Sequence, residues 1–180
     1  TLFPYTTLFR SIVKRNALVS VVMGSDSDLP VMTEAAKVLE EFGIAHELIL
    51  TSAHRTPLRT TQFASAAAGR GIKVIIVGAG AAAHLAGVIA SQTPLPVIGV
   101  PIDATALNGL DALLSTVQMP GGIPVATMAI GKAGAKNAAL FAVRMLALDN
   151  KTLGKKLRDY IRKMAKDVEK KQENLTCRKS

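Results

Sequence analysis

The residues best suited to chemistry lie in one short segment, Thr51–Pro57, where His54 stands beside Arg55. An imidazole titrates near neutral pH and a guanidinium is a fixed cation, so the pair suits acid–base work on an anionic substrate. The apolar run 44–50 predicts a strand before the segment, and Pro57 suits the first turn of a helix after it. Ligands of open parallel sheets bind at such strand ends. From these residues alone, local backbone capping is an equally good explanation of His54 and Arg55.

A second polar segment, Gly24–Asp28, follows the apolar run 17–23 and precedes a helical pattern. Gly24 permits a tight turn, and the Ser25 hydroxyl together with the N–H groups of a helix start suits a phosphate. The Asp28 carboxylate could accept hydrogen bonds from ribose hydroxyls. Simple helix capping accounts for the same residue types, so this motif alone leaves both interpretations open.

The elements that must position these segments alternate along the chain. Strands are predicted at 17–23, 44–50, 73–77, 96–100 and 125–130. Helices are predicted at about 31–42, 57–68, 84–91, 107–117 and 133–148, and helical spacing continues through the tail at 153–168. This alternation predicts an α/β fold with a doubly wound parallel sheet in a three-layer α/β/α sandwich, followed by a C-terminal helix.

Composition limits the classes of function. A chain of 180 residues is long enough for one domain with a substantial core. The net charge of +9 is concentrated at 150–180, which holds eleven Lys and Arg against four Asp and Glu, while the body at 17–149 is close to neutral. Because this basic tail lacks interleaved aromatic residues, we expect no nucleic acid partner.

The sequence also limits what can be expected of the protein's location, its metal sites and its disulfides. The apolar stretch 74–102 is better explained as two buried strands with a helix between them than as a membrane span, so no membrane partner is expected. No signal peptide pattern is visible, and a cytoplasmic location is the default expectation. Cys177 is the only cysteine, which excludes a disulfide framework. Three scattered histidines without a cysteine cluster predict no metal site.

The two ends of the chain are set apart from its body. Residues 1–11 resemble the translation of a sequencing-adapter oligonucleotide, and we expect this segment to be a fusion scar that obscures the natural start. The predicted organisation is therefore a scar at 1–11, a catalytic domain at 12–149 and a basic helix and tail at 150–180. The tail has an apolar stripe at helical spacing, and a solvated helix end or docking on a partner subunit that covers the stripe explains it about equally well.

One motif suggests a different ligand. Gly78–Ala83 fits the loose dinucleotide pattern G-x-G-x-x-A after a strand, and Asp103 follows at a suitable distance. Against nicotinamide binding, this is the third strand of the chain, whereas the fingerprint marks the first strand-to-helix turn, and Pro101 intervenes before Asp103.

Several motifs taken together resemble one family. They are Met23–Asp28, Ser52–Pro57, Gly78–Gly80, Ala82–Leu85 and Gln118–Pro120, in this order. The chain closely resembles class I 5-(carboxyamino)imidazole ribonucleotide mutase of purine biosynthesis from about residue 18 to residue 149. Segments 115–124 and 129–137 are more similar to the mutase than to the related class II carboxylase of animals.

The resemblance implies a flavodoxin-like domain in a homo-octamer, with active sites near subunit boundaries and with no metal or organic cofactor. It implies that the substrate is a small ribonucleotide whose carboxyl group migrates from nitrogen to carbon. His54 is then the general acid and base. By the same resemblance, the residues that bind phosphate and ribose are Ser25, Asp28, Ser52 and Arg55, and the loop around the imidazole contributes Gly80, His84 and Leu85.

The chain departs from the family pattern at Ala81, where the family has Gly, and at Ala86, where it has Pro. An added methyl group could crowd the loop, and loss of a proline could loosen it. Two other functions stay open: direct carboxylation of aminoimidazole ribonucleotide by carbon dioxide, and an inactive phosphosugar-binding module. A functional link or fusion to the ATP-dependent synthetase that makes the substrate is also conceivable.

Overall fold

A computed structural model describes residues 16–176, and the segment interpreted as an adapter scar lies outside this range. The strands are β1 (Val19–Met23), β2 (His46–Leu50), β3 (Val74–Gly80), β4 (Val97–Ile102) and β5 (Ala126–Thr127). The α-helices are α1 (Leu29–Phe42), α2 (Pro57–Ala67), α3 (Leu85–Ala90), α4 (Leu110–Val117), α5 (Gly131–Ala147) and α6 (Lys151–Thr176). Short 3-10 turns precede α1 at Asp26–Asp28 and follow α2 at Ala68–Arg70.

The five strands form one parallel sheet in the order β2-β1-β3-β4-β5. The order reverses at β1, because the chain moves outward from β1 to β2 and then returns to the other side of β1 with β3. This is the flavodoxin-like, doubly wound α/β arrangement, and ligands of such sheets bind beside the reversal point. The predicted fold class is confirmed.

Helices cover both faces of the sheet. On one face, Phe63 of α2 and Ile89 of α3 join Ile75 and Val77 of β3 in a buried hydrophobic cluster. On the other face, α1 approaches β3 so closely that a Cβ on Gly78 would lie 2.8 Å from Met32 Cγ. Helix α5 is tied to α1 by an ion pair between Lys136 Nζ and Glu34 Oε2 at 3.2 Å. Burial on both faces explains why the strands are nearly continuous runs of Val and Ile.

Two strands end three residues away from their predicted ends, whereas the bounds of the other three strands differ from prediction by at most two residues. Strand β3 continues to Gly80, through residues that the sequence predicted as a loop. Strand β5 has only two residues instead of six, pairing Ala126 and Thr127 with β4. The Gly99 carbonyl accepts a hydrogen bond of 2.9 Å from Met128 N. Alternate residues of β4 bond to β5, so the next residue of β4 that could pair is Pro101, which has no N–H to donate. Pairing therefore stops there.

The chain divides into two compact units, one ending at Ala142 and the other beginning at Val143. In the first unit, α5 buries small residues such as Ala135 and Ala138 on one side and leaves Lys136 and Asn137 exposed. The helix is therefore one-sided, with a buried face of small residues and an exposed polar face. The predicted boundary between residues 149 and 150 falls between α5 and α6 and stays a prediction. Among residues 16–176, no helix is long and apolar enough to cross a membrane.

Candidate active site

A cleft of about 350 Å³ lies at the carboxyl edge of the sheet, where the loops after β1, β2 and β3 meet. Seven of the eight site residues predicted from the sequence line it: Ser25, Asp28, Ser52, His54, Arg55, Gly80 and Leu85. His84, the eighth, contacts His54. The structure thus brings all the predicted residues together, while their individual roles stay predictions.

The first wall of the cleft is the turn Gly24–Asp28. The Asp28 Oδ2 atom accepts a hydrogen bond of 3.0 Å from Ser25 N, and the Ser25 side chain accepts one from Ser27 N at 3.4 Å. Burial raises the pKa of the Asp28 carboxyl, although hydrogen bonds from Ser25 and Gly24 and the nearby Arg55 cation oppose the shift. The carboxyl is thus held in place at the base of the cleft by the backbone of its own turn.

The second wall is the turn after β2. Here Arg55 N donates to Ser52 Oγ at 3.2 Å, and Arg55 Nη2 donates to the Gly24 carbonyl at 3.0 Å. The guanidinium therefore ties the β2 turn to the β1 turn. A guanidinium has five N–H donors, and this bond uses one of them. Arg55 is exposed and lines the cleft beside Ser25, so this part of the cleft suits a phosphate.

Two imidazoles meet on the side of the cleft nearer β3. His54 Nε2 lies 2.9 Å from His84 Nδ1, and the rings are nearly perpendicular, at 84° with centroids 5.0 Å apart. One of the two nitrogens must donate and the other accept, so a single proton serves both rings at this contact. The third histidine, His46, is buried at the opposite end of β2, where Nδ1 donates to the Ile44 carbonyl. Its role is structural.

The loop that leads to His84 is held in a tight conformation. Ala81 has φ +53°, in the left-handed region, and its carbonyl accepts a 2.8 Å bond from Ala83 N. The Ala82 carbonyl accepts a bond of the same length from His84 N. Since an L-residue with a Cβ pays a steric cost there, the family's glycine would adopt this conformation more easily than Ala81 does.

The second departure from the family pattern is Ala86, which lies in a helix rather than in the tight loop. Ala86 is the second residue of α3 and is 2% exposed, packed in the hydrophobic core below the cleft. Proline is tolerated in the first turn of a helix because its missing N–H has no intrahelical partner there. Alanine is accommodated at this position by the helix and the core, and its effect on the cleft stays a prediction.

One lining residue was missed by the sequence reasoning. Ala104 follows β4 and reaches the cleft because Gly80 has no side chain: a Cβ on Gly80 would lie 2.5 Å from Ala104 Cβ and 3.2 Å from the Ile102 carbonyl. The strand-end rule would have indicated this loop, since β4 also ends at the carboxyl edge of the sheet.

The dinucleotide motif does not have the geometry that its chemistry needs. Gly78 and Gly80 belong to strand β3 itself, and α3 begins only at Leu85 and has six residues. A pyrophosphate needs the N-terminus of a helix directly after the glycine turn. Within residues 16–176, no three His, Cys, Asp or Glu side chains are grouped so that they could hold a metal ion.

The fold and the cleft define a class: a flavodoxin-like α/β protein with an anion site and an imidazole pair at the reversal point of its sheet. Comparison with known proteins makes this specific, since the AIR carboxylase family matches residues 18–167. The chain belongs to the AIR carboxylase family.

Relatives of known name fall into two groups. The N5-carboxyaminoimidazole ribonucleotide mutase of Pyrococcus horikoshii is 58% identical over 165 residues, covering 92% of each chain. The mutase of Thermotoga maritima is 54% identical, over 87% of this chain and 91% of its own. The phosphoribosylaminoimidazole carboxylase of Candida glabrata is 53% identical over 86% of this chain, which spans only 27% of that longer protein.

The solved structure of Treponema denticola PurE has a similar fold. It superposes with a TM-score of 0.80 at 27% identity, over 87% of this chain and 97% of that one.

The left-handed conformation at Ala81 leads to a test of stability. We expect Ala81→Gly to raise the free energy of unfolding by up to about 1 kcal/mol, because relief of the steric cost outweighs the entropy that glycine adds to the unfolded chain. Ala82→Gly is the matched control, since Ala82 has no positive φ, and it should lower stability by roughly 0.5–1 kcal/mol. Denaturant titration at one protein concentration measures both. Equal losses in the two variants would contradict a steric cost at Ala81.

Proposed function

We propose that this protein catalyses a step of purine biosynthesis, the conversion of 5-(carboxyamino)imidazole ribonucleotide to 4-carboxy-5-aminoimidazole ribonucleotide. The observation that carries the proposal is the identity of 58% to a mutase over 92% of both chains, together with the intact cleft that this sequence builds. The enzyme is an intramolecular transferase, because the carboxyl group leaves one atom of the substrate and joins another.

The proposed roles divide the cleft in two. Arg55 and the hydroxyls of Ser25 and Ser52 bind the phosphate, and Asp28 accepts from the ribose hydroxyls. The loop residues Gly80, His84 and Leu85 enclose the imidazole ring and the migrating carboxyl group. The 3.0 Å bond from Arg55 to Gly24 supports this division, because it holds the cation at the end of the cleft where the helix-start N–H groups also lie.

The proposed mechanism uses His54 twice. Cleavage of the carbamate N–C bond releases carbon dioxide, and His54 donates a proton to the nitrogen that is left. The electron-rich carbon 4 of the ring then attacks the trapped carbon dioxide to form the new C–C bond. His54 removes the hydrogen of carbon 4, which restores its own proton, so the isomerisation has no net proton change. An imidazole suits both steps at neutral pH, and a closed cleft keeps the carbon dioxide near carbon 4.

A substrate comparison tests the reaction type. The enzyme should convert 5-(carboxyamino)imidazole ribonucleotide without added bicarbonate, and it should be slow with aminoimidazole ribonucleotide even at high bicarbonate. Fast, bicarbonate-dependent turnover of aminoimidazole ribonucleotide would instead support direct carboxylation. Tight binding of both ribonucleotides without turnover would support the inactive phosphosugar-binding module.

The role of His54 has a separate test. We expect His54→Asn to keep the fold and bind substrate within a few-fold of the parent, while turnover falls by roughly 10²–10⁴, the usual worth of general acid–base catalysis. Stopped-flow absorbance measures turnover, and calorimetric titration measures binding. Because the His54 side chain is exposed, its replacement removes no core packing, and circular dichroism checks that the fold is kept. Turnover close to that of the parent would rule out the assigned role.

We also propose that the chain assembles as a homo-octamer. Three exposed apolar residues, Leu110, Leu114 and Val117, follow one another at spacings of four and three along α4, and exposed Leu107 lies just before the helix; such a stripe favours a protein contact. Light scattering should give eight times the chain mass of 18.9 kDa. The double substitution of Leu110 and Leu114 by Lys should lower that mass, whereas Leu148→Lys, outside the stripe, should not. A monomeric parent protein would contradict the proposal.

Three further features of the proposal follow from the family resemblance. The reaction needs no metal or organic cofactor, so turnover should survive dialysis against EDTA. It takes place in the cytoplasm, which cell fractionation checks. Its functional partner is the ATP-dependent synthetase that supplies the substrate, and the greater length of the Candida glabrata relative is compatible with a fusion of the two activities.

A further inference from the structure

Three threonines adjoin the turn that carries His54 and Arg55. Thr51 immediately follows β2, the exposed Thr56 immediately precedes α2, and Thr60 lies one turn into α2. Thr51 and Thr60 are buried, with exposed fractions of 3% and 0%. None of the three lines the cleft, so any effect they have on the substrate must pass through other residues.

The direction of their hydrogen bonds follows from counting protons. The Thr60 hydroxyl donates to the Thr56 carbonyl at 3.2 Å, and the Thr56 hydroxyl donates to the Ser52 carbonyl at 3.1 Å. Each hydroxyl has a single proton, so with these two donors Thr51 supplies the proton for its contacts with Thr60 Oγ1 at 2.9 Å and Thr56 Oγ1 at 3.3 Å. The result is a network of hydroxyls that connects the end of β2, the first turn of α2 and the Ser52 carbonyl.

Thr56 uses its hydroxyl in an unusual way for its position. It stands at the N-cap of α2, before Pro57, where a threonine side chain ordinarily accepts a bond from the helix's own N–H groups. Here it makes no such cap bond. Its Oγ1 atom instead accepts from Ser52 N at 2.9 Å while it donates to the Ser52 carbonyl, so one side chain holds both backbone groups of Ser52.

Ser52 stabilises the turn after β2, which forms the second wall of the cleft. Ser52 Oγ accepts a hydrogen bond from Arg55 N, and the Arg55 side chain donates one to the Gly24 carbonyl. His54 lies between Ser52 and Arg55 in the chain. We propose that Thr56 and Thr60 are positioning residues, which hold the Ser52–Arg55 turn so that Arg55 meets the substrate's phosphate and His54 its ring. The inference rests on the proposed function, and it adds residues that do not touch the substrate.

The test compares valine, which keeps the shape of threonine, with serine, which keeps the hydroxyl. The variants are Thr56→Val, Thr56→Ser, Thr60→Val and Thr60→Ser. Thr116→Val is the matched control for Thr60→Val, because Thr116 is also a buried helical threonine, 2% exposed, whose hydroxyl bonds the carbonyl four residues earlier at 2.7 Å. Arg55→Ala is the positive control for loss of phosphate binding.

Steady-state kinetics with 5-(carboxyamino)imidazole ribonucleotide separates positioning from stability. Thr56→Val should lower kcat/KM roughly tenfold or more, as expected when a catalytic turn is misplaced, and Thr56→Ser should restore most of it. Thr60→Val should lower kcat/KM by a smaller factor. Thr116→Val should lose thermal stability comparably to Thr60→Val with kcat and KM unchanged. Parent-like kcat/KM in Thr56→Val, or an equal loss in Thr116→Val, would overturn the inference.

Amide hydrogen exchange tests the same point without any substrate. In the parent protein, the Ser52 amide is bonded to Thr56 Oγ1, so Thr56→Val should speed its exchange roughly tenfold or more, and Thr56→Ser should not. Unchanged exchange in Thr56→Val would overturn the positioning inference even if the enzyme is active. If the parent converts neither ribonucleotide, the proposed function fails, and the exchange result alone decides whether Thr56 holds the turn.

Discussion

The parallel pairing of β1 with both β2 and β3 is the constraint on which the cleft depends. Met23, the last residue of β1, lies opposite Leu50 of β2 on one side and Gly78 of β3 on the other. Because β1 and β2 end level and β3 runs only two residues further, the three following loops leave the sheet at one place. Backbone bonds continue the pairing into the loops, from Gly24 N to the Gly78 carbonyl and from Thr51 N to the Met23 carbonyl. The groups proposed to bind the phosphate and to transfer the proton can then lie side by side without any long loop.

Side-chain bonds between loops turn this proximity into a defined site. The Arg55 guanidinium donates a hydrogen bond to the Gly24 carbonyl in the loop after β1, and His54 is hydrogen-bonded to His84, which immediately precedes α3. These two adjacent residues therefore link the loop after β2 to the loop after β1 and to the loop after β3. The charged group faces the helix start at Ser25, and the titratable group faces the loop after β3. This separation fits a substrate with a phosphate at one end and a reacting ring at the other.

Sequence reasoning predicted the fold and the polar segments at the strand ends from local rules, whereas Gly80, His84 and Leu85 were assigned to the site by the family resemblance. Buried parallel strands are runs of Val and Ile, strand ends carry the polar segments, and adjacent parallel strands place their ends together. Less predictable features depended on contacts between distant residues. The length of β5 is limited by Pro101 on the neighbouring strand, the place of Ala104 in the cleft depends on Gly80, and the His54–His84 contact joins residues thirty positions apart. No periodicity along the chain reports such pairings.

Three unfavourable features lie at the cleft, whereas the other described non-glycine residues with positive φ, Asn16 and Asn108, are asparagines, which tolerate that conformation. Burial raises the pKa of Asp28, Ala81 holds a left-handed backbone, and Thr56 gives up the cap of its own helix to hold Ser52. Elsewhere the polar groups are satisfied: Glu47, buried on β2, accepts from Ser20 Oγ at 2.6 Å and is paired with Arg70, and no buried side-chain N or O atom among the described residues lacks a partner. A fold whose interior is this well satisfied can tolerate a few unfavourable conformations. That these fall in the three loops of the cleft argues that the loops are shaped for binding and proton transfer rather than for stability.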